Sequence, residues 1–543
     1  MKKILLSFAA ALLLVTSVFA GETGKKKDVG IFYFVWLGQH PGQQKGIYDI
    51  SKLLKEAPED LWAAPEGTPK SPAGQFHFWG EPLYGYYDSR DPWVIARHVE
   101  LLADAGIDYL MFDTTNADIY PEAVTTVLRT LKEFASQGLK VPQVAFYTNT
   151  RSGSTLQRIY DTFYKSGEWD GLFYSPNGKP LVVGLTRKNK SSDQGSGADY
   201  VSDELQEIFD VRESQWPNVP YDENAFPWLS WDYPQRLHKG SIAVSVAQHS
   251  LTAGTFSDTT SCRGRGWDAR VGKEFKEDFR SGINFRNQWE TVFDNIDRID
   301  HVFVTGWNEW IALKLVRPDT LQTMFVDLFN EEFSRDAEMM RGGYGDNFYM
   351  LLAENVRRYK GDCGVAAQKG KVFRDFEGDA LVRDFKNFDG SGRYIDSSAR
   401  NDIVEITVSE SAAAVTFEVM TASDVIPYAQ GDLNWMNILV KTDDSSDKAC
   451  EYDYVFNRYP TVNGVTTVER ICADGRKVLS GKATYSVSGD ILRVTVPFEA
   501  LGLEAGDVHF GFKVADNVAD PDDIMEYYVS GDSAPIGRLS FDY

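Results

Sequence analysis

The chain predicts an α/β fold: a (β/α)8 TIM-type barrel over residues 28–362, followed by an antiparallel β-sandwich domain over residues 371–543. Three observations predict it. Eight apolar runs alternate with amphipathic helical patterns as far as about residue 360, as in a parallel sheet covered on both faces. Beyond Gly361 the pattern changes to short alternating segments separated by turn residues, as in Asp389-Gly390 and Ser488-Gly489-Asp490. The length, 543 residues, exceeds what a single small core organises.

Residues 1–20 read as a signal peptide. Lys2 and Lys3 give a positive start, an apolar run follows from Ile4 to Phe19, and Val18-Phe19-Ala20 offers small residues for cleavage. The run is short for a membrane anchor, polar Gly21-Glu22-Thr23-Gly24 follows at once, and no lipoprotein cysteine lies nearby. A secreted or periplasmic protein without membrane insertion is expected. The predicted barrel strands are 29–36, 108–113, 143–148, 180–185, 208–212, 242–248, 301–307 and 324–329. Helices are expected over 92–105, 122–137, 155–165, 202–207, 285–298 and 347–359. In the first of these, Val94, Ile95, His98, Leu101, Leu102 and Ala105 fall near 3.6-residue spacing. An open doubly wound sheet is the competing fold. It calls for a Gly-rich phosphate turn after the first strand, and Leu37-Gly38-Gln39-His40-Pro41 is not one. In the C-terminal part the expected strands are 403–408, 414–420, 436–441, 452–458, 484–488, 491–497 and 508–515.

The net charge of −23 repels phosphate and so argues against a nucleic-acid partner. A neutral ligand meets no such penalty, and 13% aromatic residues suit large cores or sugar-stacking surfaces. The four cysteines, Cys262, Cys363, Cys450 and Cys472, form no CxxC pair, which speaks against structural zinc. Cys450 and Cys472 flank an expected hairpin and are candidates for a disulfide. No HExxH or comparable spacing is present, so no metal and no cofactor is expected in catalysis. Acidic loops such as Asp384–Asp389 are of the kind that holds calcium, though such loops are commonly just solvated. Nothing in the sequence fixes an oligomeric state.

A (β/α)8 barrel builds its active site at the C-terminal ends of its strands, and this rule selects the candidates. They are Trp36 after the first strand, Asp113 and Asn116 after the second, and Tyr147 and Asn149 after the third. Glu213 follows the fifth, His249 the sixth, and Trp307, Asn308, Glu309 and Trp310 the seventh. Carboxylates protonate a leaving oxygen or activate water, indoles stack on sugar rings, and amides bind hydroxyls. Glu309, Asp113 and Glu213 are the catalytic candidates; the others are candidates for substrate binding. Each has a structural reading as well: a buried, paired carboxylate for Glu309, a cap for Asp113, a pair with Arg212 for Glu213, core positions for the histidine and the tryptophans.

Over residues 28–362 the chain resembles the glycoside hydrolase family 71 and family 99 group. The matching parts are Gly106-Ile107-Asp108-Tyr109, Gln288-Trp289, Gly306-Trp307-Asn308-Glu309-Trp310 and the closing segment 348–360. The resemblance implies a retaining endo-α-mannosidase barrel in which the position of Glu309 assists the substrate's 2-hydroxyl as base. It also implies a glutamate general acid three residues later, where this chain has Ala312. Only half of that catalytic pair carries over, so the α-mannoside specificity does not, and Asp113 and Glu213 are the carboxylates placed to replace the acid. Asp432-Leu433-Asn434-Trp435-Met436-Asn437-Ile438-Leu439-Val440 and the ending from Gly531 to Leu539 resemble carbohydrate-binding module family 9-like sandwiches. The expected function is a secreted glycoside hydrolase acting on a polysaccharide or oligosaccharide. A non-catalytic glycan-binding protein on a degenerate barrel is the alternative, and a purely structural or adhesive surface protein a third class.

Overall fold

The computed structural model describes residues 26–43, 46–186, 199–248, 255–257, 263–361, 363–364, 367–442, 451–504, 506 and 508–543. The expected signal peptide, His249, Cys262 and Cys450 lie outside the described residues, and so does the expected Cys450–Cys472 pairing.

Seven parallel strands form the first sheet: β1 (Asp28–Tyr33), β2 (Tyr109–Thr114), β3 (Gln143–Thr148), β4 (Leu181–Val183), β5 (Asp210–Arg212), β6 (Ser241–Ser245) and β7 (His301–Thr305). Their order is β6-β7-β1-β2-β3-β4-β5. Every residue of β1 and β2 is buried, which explains why both read as unbroken apolar runs. The sheet curls. Phe32 of β1 packs edge-on against Tyr147 of β3 and Phe303 of β7, while Phe226 reaches both Tyr147 and Phe303. Phe226–Pro227 is itself a two-residue strand, parallel to Ser214–Gln215 just beyond β5. Helices α1 (Pro92–Asp104), α2 (Pro121–Ser136), α3 (Ser152–Ile159), α4 (Asp203–Ile208), α5 (Ile283–Asp294) and α6 (Asn347–Lys360) fall on the expected segments. Asp91 and Ser202 cap α1 and α4 by accepting from the amides of Trp93 and Leu205.

One expected barrel strand lies elsewhere. Residues 324–329 were the eighth strand of the sequence reading. Instead, Thr323–Val326 pairs antiparallel with Ile311–Val316 and Thr255–Phe256 in a four-stranded sheet completed by Phe76–Phe78. The side chains of Thr323–Val326 alternate between buried and half-buried, the pattern of a strand with one covered face. Hydrophobicity alone does not separate that pattern from a fully buried strand over so short a run.

Besides a separate hairpin, Arg383–Lys386 with Arg393–Asp396, the described residues of the C-terminal part form one continuous antiparallel sheet of eleven strands. It folds over on itself: Phe417 in Ala414–Thr421 touches both Phe456 and Phe512 from distant strands. Strands Ile403–Glu410, Ala414–Thr421 and Ile491–Pro497 match the expected alternation closely. The core of the parallel-sheet part continues into this part, enclosing Phe376, Phe388, Tyr528, Ile536 and Leu539.

At the opposite end of the parallel sheet from the cleft described below, Asp108 ties β1, β2 and α6 together. It accepts from the Val29 amide at 2.8 Å and from Lys360 and Lys140 at 2.6 Å each. Burial alone would raise its carboxyl, but Lys360 and Lys140 outweigh burial and hold it below the usual range. A depressed folded-state value stabilises the fold above the unfolded value, about 3.9, and that stabilisation is lost as pH falls through the folded value. Asp108→Asn leaves Lys360 buried without its partner, while the exposed Lys140 adds little. We expect a loss of about 3 kcal/mol at pH 7 in urea unfolding. The gap to the parent should narrow below about pH 4; a gap unchanged from pH 7 to pH 3 refutes the assignment.

Candidate functional site

The C-terminal ends of the parallel strands converge on a cleft of about 510 Å³. Trp36 follows β1, Asp113 ends β2, and Tyr147 and Asn149 lie at the end of β3. Trp216 and Trp228 flank the short strand pair, and Glu309 lies four residues past β7. Val326 and Asp327, at the end of the antiparallel strand, complete one wall together with Arg335. Indoles and phenyl rings therefore face amides and three carboxylates. Trp36 Nε1, Trp216 Nε1 and Asn149 Oδ1 are buried without a hydrogen-bond partner among the described residues.

The segment from Gly306 to Trp310 shows how Glu309 is held. Gly306 has φ +105°, and a Cβ there would lie 2.5 Å from the Arg335 carbonyl oxygen. Its absence lets residues 335–338 run alongside: Ala337 donates to the Gly306 carbonyl at 3.1 Å and Glu338 to that of Trp307 at 2.9 Å. Trp307 is fully buried against His98 and Tyr349. Asn308 clamps the chain beyond β1, accepting from the Phe34 amide at 2.7 Å and donating to its carbonyl at 3.0 Å. Trp310 stacks on Trp79 at 4.1 Å and donates to Glu338 at 2.5 Å. With its neighbours fixed, the Glu309 carboxylate meets the buried guanidinium of Arg335 at 2.6 Å, and its amide donates to Asp336 at 2.7 Å.

The electrostatics of this group are unusual. Four carboxyls, buried Glu309, Asp113 and Asp336 and half-buried Asp327, lie near one another and share Arg335. Burial raises all four above the usual carboxylate range; for Glu309 and Asp327 Arg335 opposes it, and Asp336 is pushed up to about 7. Asp113 accepts from the Thr115 amide at 2.9 Å and makes no ion pair of its own in the described structure. So many buried carboxyls around so little positive charge retain at least one proton near neutral pH. The 2.6 Å contact favours ionised Glu309, and Asp336, pushed up to about 7, and Asp113, without an ion pair, are the groups left to hold a proton.

Of the candidates from sequence, the cleft brings together Glu309, Asp113, Trp36, Asn116, Tyr147 and Asn149. Trp307, Asn308 and Trp310 are buried supports behind it. Glu213 is not part of this group: it accepts from the Thr186 amide at 2.8 Å and lines a separate depression with Asp222 and Lys239. Ala312 lies buried in Ile311–Val316 opposite His77 and does not line the cleft. Trp435 is core, its Nε1 donating to the Ile426 carbonyl at 2.7 Å. The acidic run at 384–389 is tied up locally, Asp384 by Arg393 and Asp389 by Ser391 and the Gly46 amide. Arg335 and Asp327 are not among the sequence candidates; neither stands in a motif, and Asp327 falls inside the run 324–329 expected as a barrel strand.

No family model matches the chain, and no curated protein matches its sequence. Among solved structures it is similar to the GH99 endo-alpha-mannosidase of Bacteroides thetaiotaomicron, at 14% identity over 62% of this chain and 98% of that one, TM-score 0.36. A structure of that enzyme with bis-tris propane gives 13% identity, the same coverage and a TM-score of 0.31. Likeness at that level carries no residue role and no activity across.

Gly306→Ala forces a Cβ into the Arg335 carbonyl at a left-handed backbone position. We expect a loss of about 1–3 kcal/mol in urea unfolding. A variant as stable as the parent would show that residues 335–338 do not depend on that close approach.

Proposed function

We propose that the chain is a glycoside hydrolase whose cleft at the mouth of the parallel sheet cleaves a polysaccharide or oligosaccharide. The observation that carries this reading is the set of three carboxylates, Glu309, Asp113 and Asp327, facing one indole-walled cleft. Asp113, buried and without an ion pair of its own, delivers its proton to the leaving glycosidic oxygen. Glu309, ionised and oriented by Arg335, works on the opposite side, activating water or a substrate hydroxyl or attacking directly. Asp327 and Arg335 set the charge that divides these roles. The unpartnered atoms of Trp36, Trp216 and Asn149 are suited to sugar hydroxyls. The first twenty residues support export, and no described helix is long and apolar enough to cross a membrane. In this reading residues 28–362 hold the catalytic cleft and residues 371–543 a glycan-binding-like domain.

One observation favours a second reading, a glycan-binding protein without hydrolysis: Arg335 engages the Glu309 carboxylate closely enough to limit it as a base. A polysaccharide panel separates the two, since release of reducing ends marks an enzyme and retention without release a binder.

On a substrate found in that panel, Glu309→Gln should lower kcat/KM about 100- to 10,000-fold with the fold intact by circular dichroism. Undiminished activity would remove Glu309 from the chemistry. Asp113→Asn should be comparably slow on a natural leaving group yet much less impaired on an aryl glycoside whose leaving group needs no proton. Equal losses on both would strip Asp113 of the acid role.

A raised carboxyl keeps its proton to higher pH, so activity should fall as pH rises through its value, which lies above the usual carboxylate range. That alkaline limb should vanish in Asp113→Asn assayed on the aryl glycoside. Its persistence would assign the proton to another group.

A further inference from the structure

Away from the cleft, a second set of acids gathers where α1 meets the C-terminal sheet. Glu100 of α1 and Asp375 and Asp379 of the following domain each bring one oxygen within 4.8 Å of the others. Asp379, Asp402 and Asp532 form a second set of the same dimensions, sharing Asp379. Asp104, one turn beyond Glu100, adds negative charge nearby. Glu100, Asp375, Asp379 and Asp532 are at most 5% exposed.

Backbone amides orient one oxygen of several of these groups. Phe376 donates to Asp375 at 3.0 Å, Gly378 to Asp402 at 2.8 Å, and Ile403 to Asp532 at 2.6 Å. Other oxygens, Glu100 Oε1, Asp375 Oδ2, Asp379 Oδ1 and Asp402 Oδ1, are buried with no hydrogen-bond partner among the described residues. Arg97 and Lys513 bring positive charge near these acids, though their own N–H groups bond carbonyls. Arg97 donates to those of Tyr528, Asp379 and Gly531 at 3.2, 3.1 and 3.5 Å, and Lys513 to that of Pro535. Packed carboxyls with unpartnered oxygens are relieved either by shared protons or by a cation that accepts several oxygens at once. Neither set contains His or Cys, so its chemistry is that of a hard cation, and flexible, carboxylate-rich coordination suits calcium better than magnesium.

We propose that Glu100, Asp375, Asp379, Asp402 and Asp532 bind calcium, and that the ion fastens helix α1 of the barrel to the C-terminal sheet. The site is separate from the cleft, from the chemistry proposed there and from the acidic run at 384–389.

The test uses the full chain, purified without chelator. Elemental analysis should find at least one calcium per chain. Dialysis against EGTA should lower the melting temperature by about 3 °C or more, calcium should restore it, and magnesium at equal concentration should not. Asp379→Asn, common to both sets, should lose the calcium-dependent shift, while Asp384→Asn in the exposed hairpin keeps it. Should Asp379→Asn fail to fold, the chelator arm on the parent protein still decides. A chain that purifies without calcium and melts at the same temperature with EGTA or calcium overturns the site. Such a result would show that the acids share protons instead.

Discussion

The burial of Arg335 beside Glu309 is the constraint on which the site depends. A guanidinium out of water needs a partner of opposite charge and acceptors for its remaining N–H groups. Glu309 supplies the charge at 2.6 Å, and the Asp327 carbonyl accepts at 3.1 Å. The arrangement holds because residues 335–338 run against Gly306 and Trp307, an approach open only to a residue without Cβ. Glu338, two residues further on at the turn beyond Asp336, receives Tyr87, His98 and Trp310. Those bonds lock the Trp-Asn-Glu-Trp segment from behind. The Glu309 carboxyl is thus held by Arg335 on the cleft wall and by a polar network behind it, so its orientation does not wait on a bound ligand.

The parallel strands were legible in the sequence because complete burial leaves a run of apolar residues and nothing else. β3 falls on the expected boundaries, and β1, β2 and β7 lie within a few residues of theirs. Phe226–Pro227 was invisible for the opposite reason: two residues, one of them proline, make no run. The rule that strand ends carry chemistry chose Asp113 and Glu309, which line the cleft, and also Glu213, which does not. In a strand successive side chains point to opposite faces, so a residue at the correct end still has an even chance of facing away. Thr186 holds Glu213 in a separate depression instead. The tryptophans of the motif were read as sugar platforms because an indole looks the same in a core and in a binding site. The structure separates them: Trp307 and Trp310 lie behind Glu309, and Trp36, Trp216 and Trp228 in front. Arg335 lies in Ser334-Arg335-Asp336, a stretch with no periodicity that reads as solvated charge until its partner, 26 residues earlier, is known.

The join between the two parts also bears on function. A binding module on a flexible linker acts by raising local concentration, and its bearing to the cleft is free. Here Arg383 pairs with Asp91 at 2.8 Å, donates to the Tyr84 carbonyl at 3.0 Å and lies over Trp93. Arg97 reaches the carbonyls near Tyr528 from the other side, and Asp346 receives both Tyr528 and Arg538. These are buried polar contacts set within a shared apolar core, and breaking them exposes charge as well as surface. The C-terminal sheet therefore keeps a fixed bearing to the barrel mouth. In the function proposed above, a glycan strand held by that sheet enters the cleft at one angle only, so the sheet acts on the register of substrate more than on its capture.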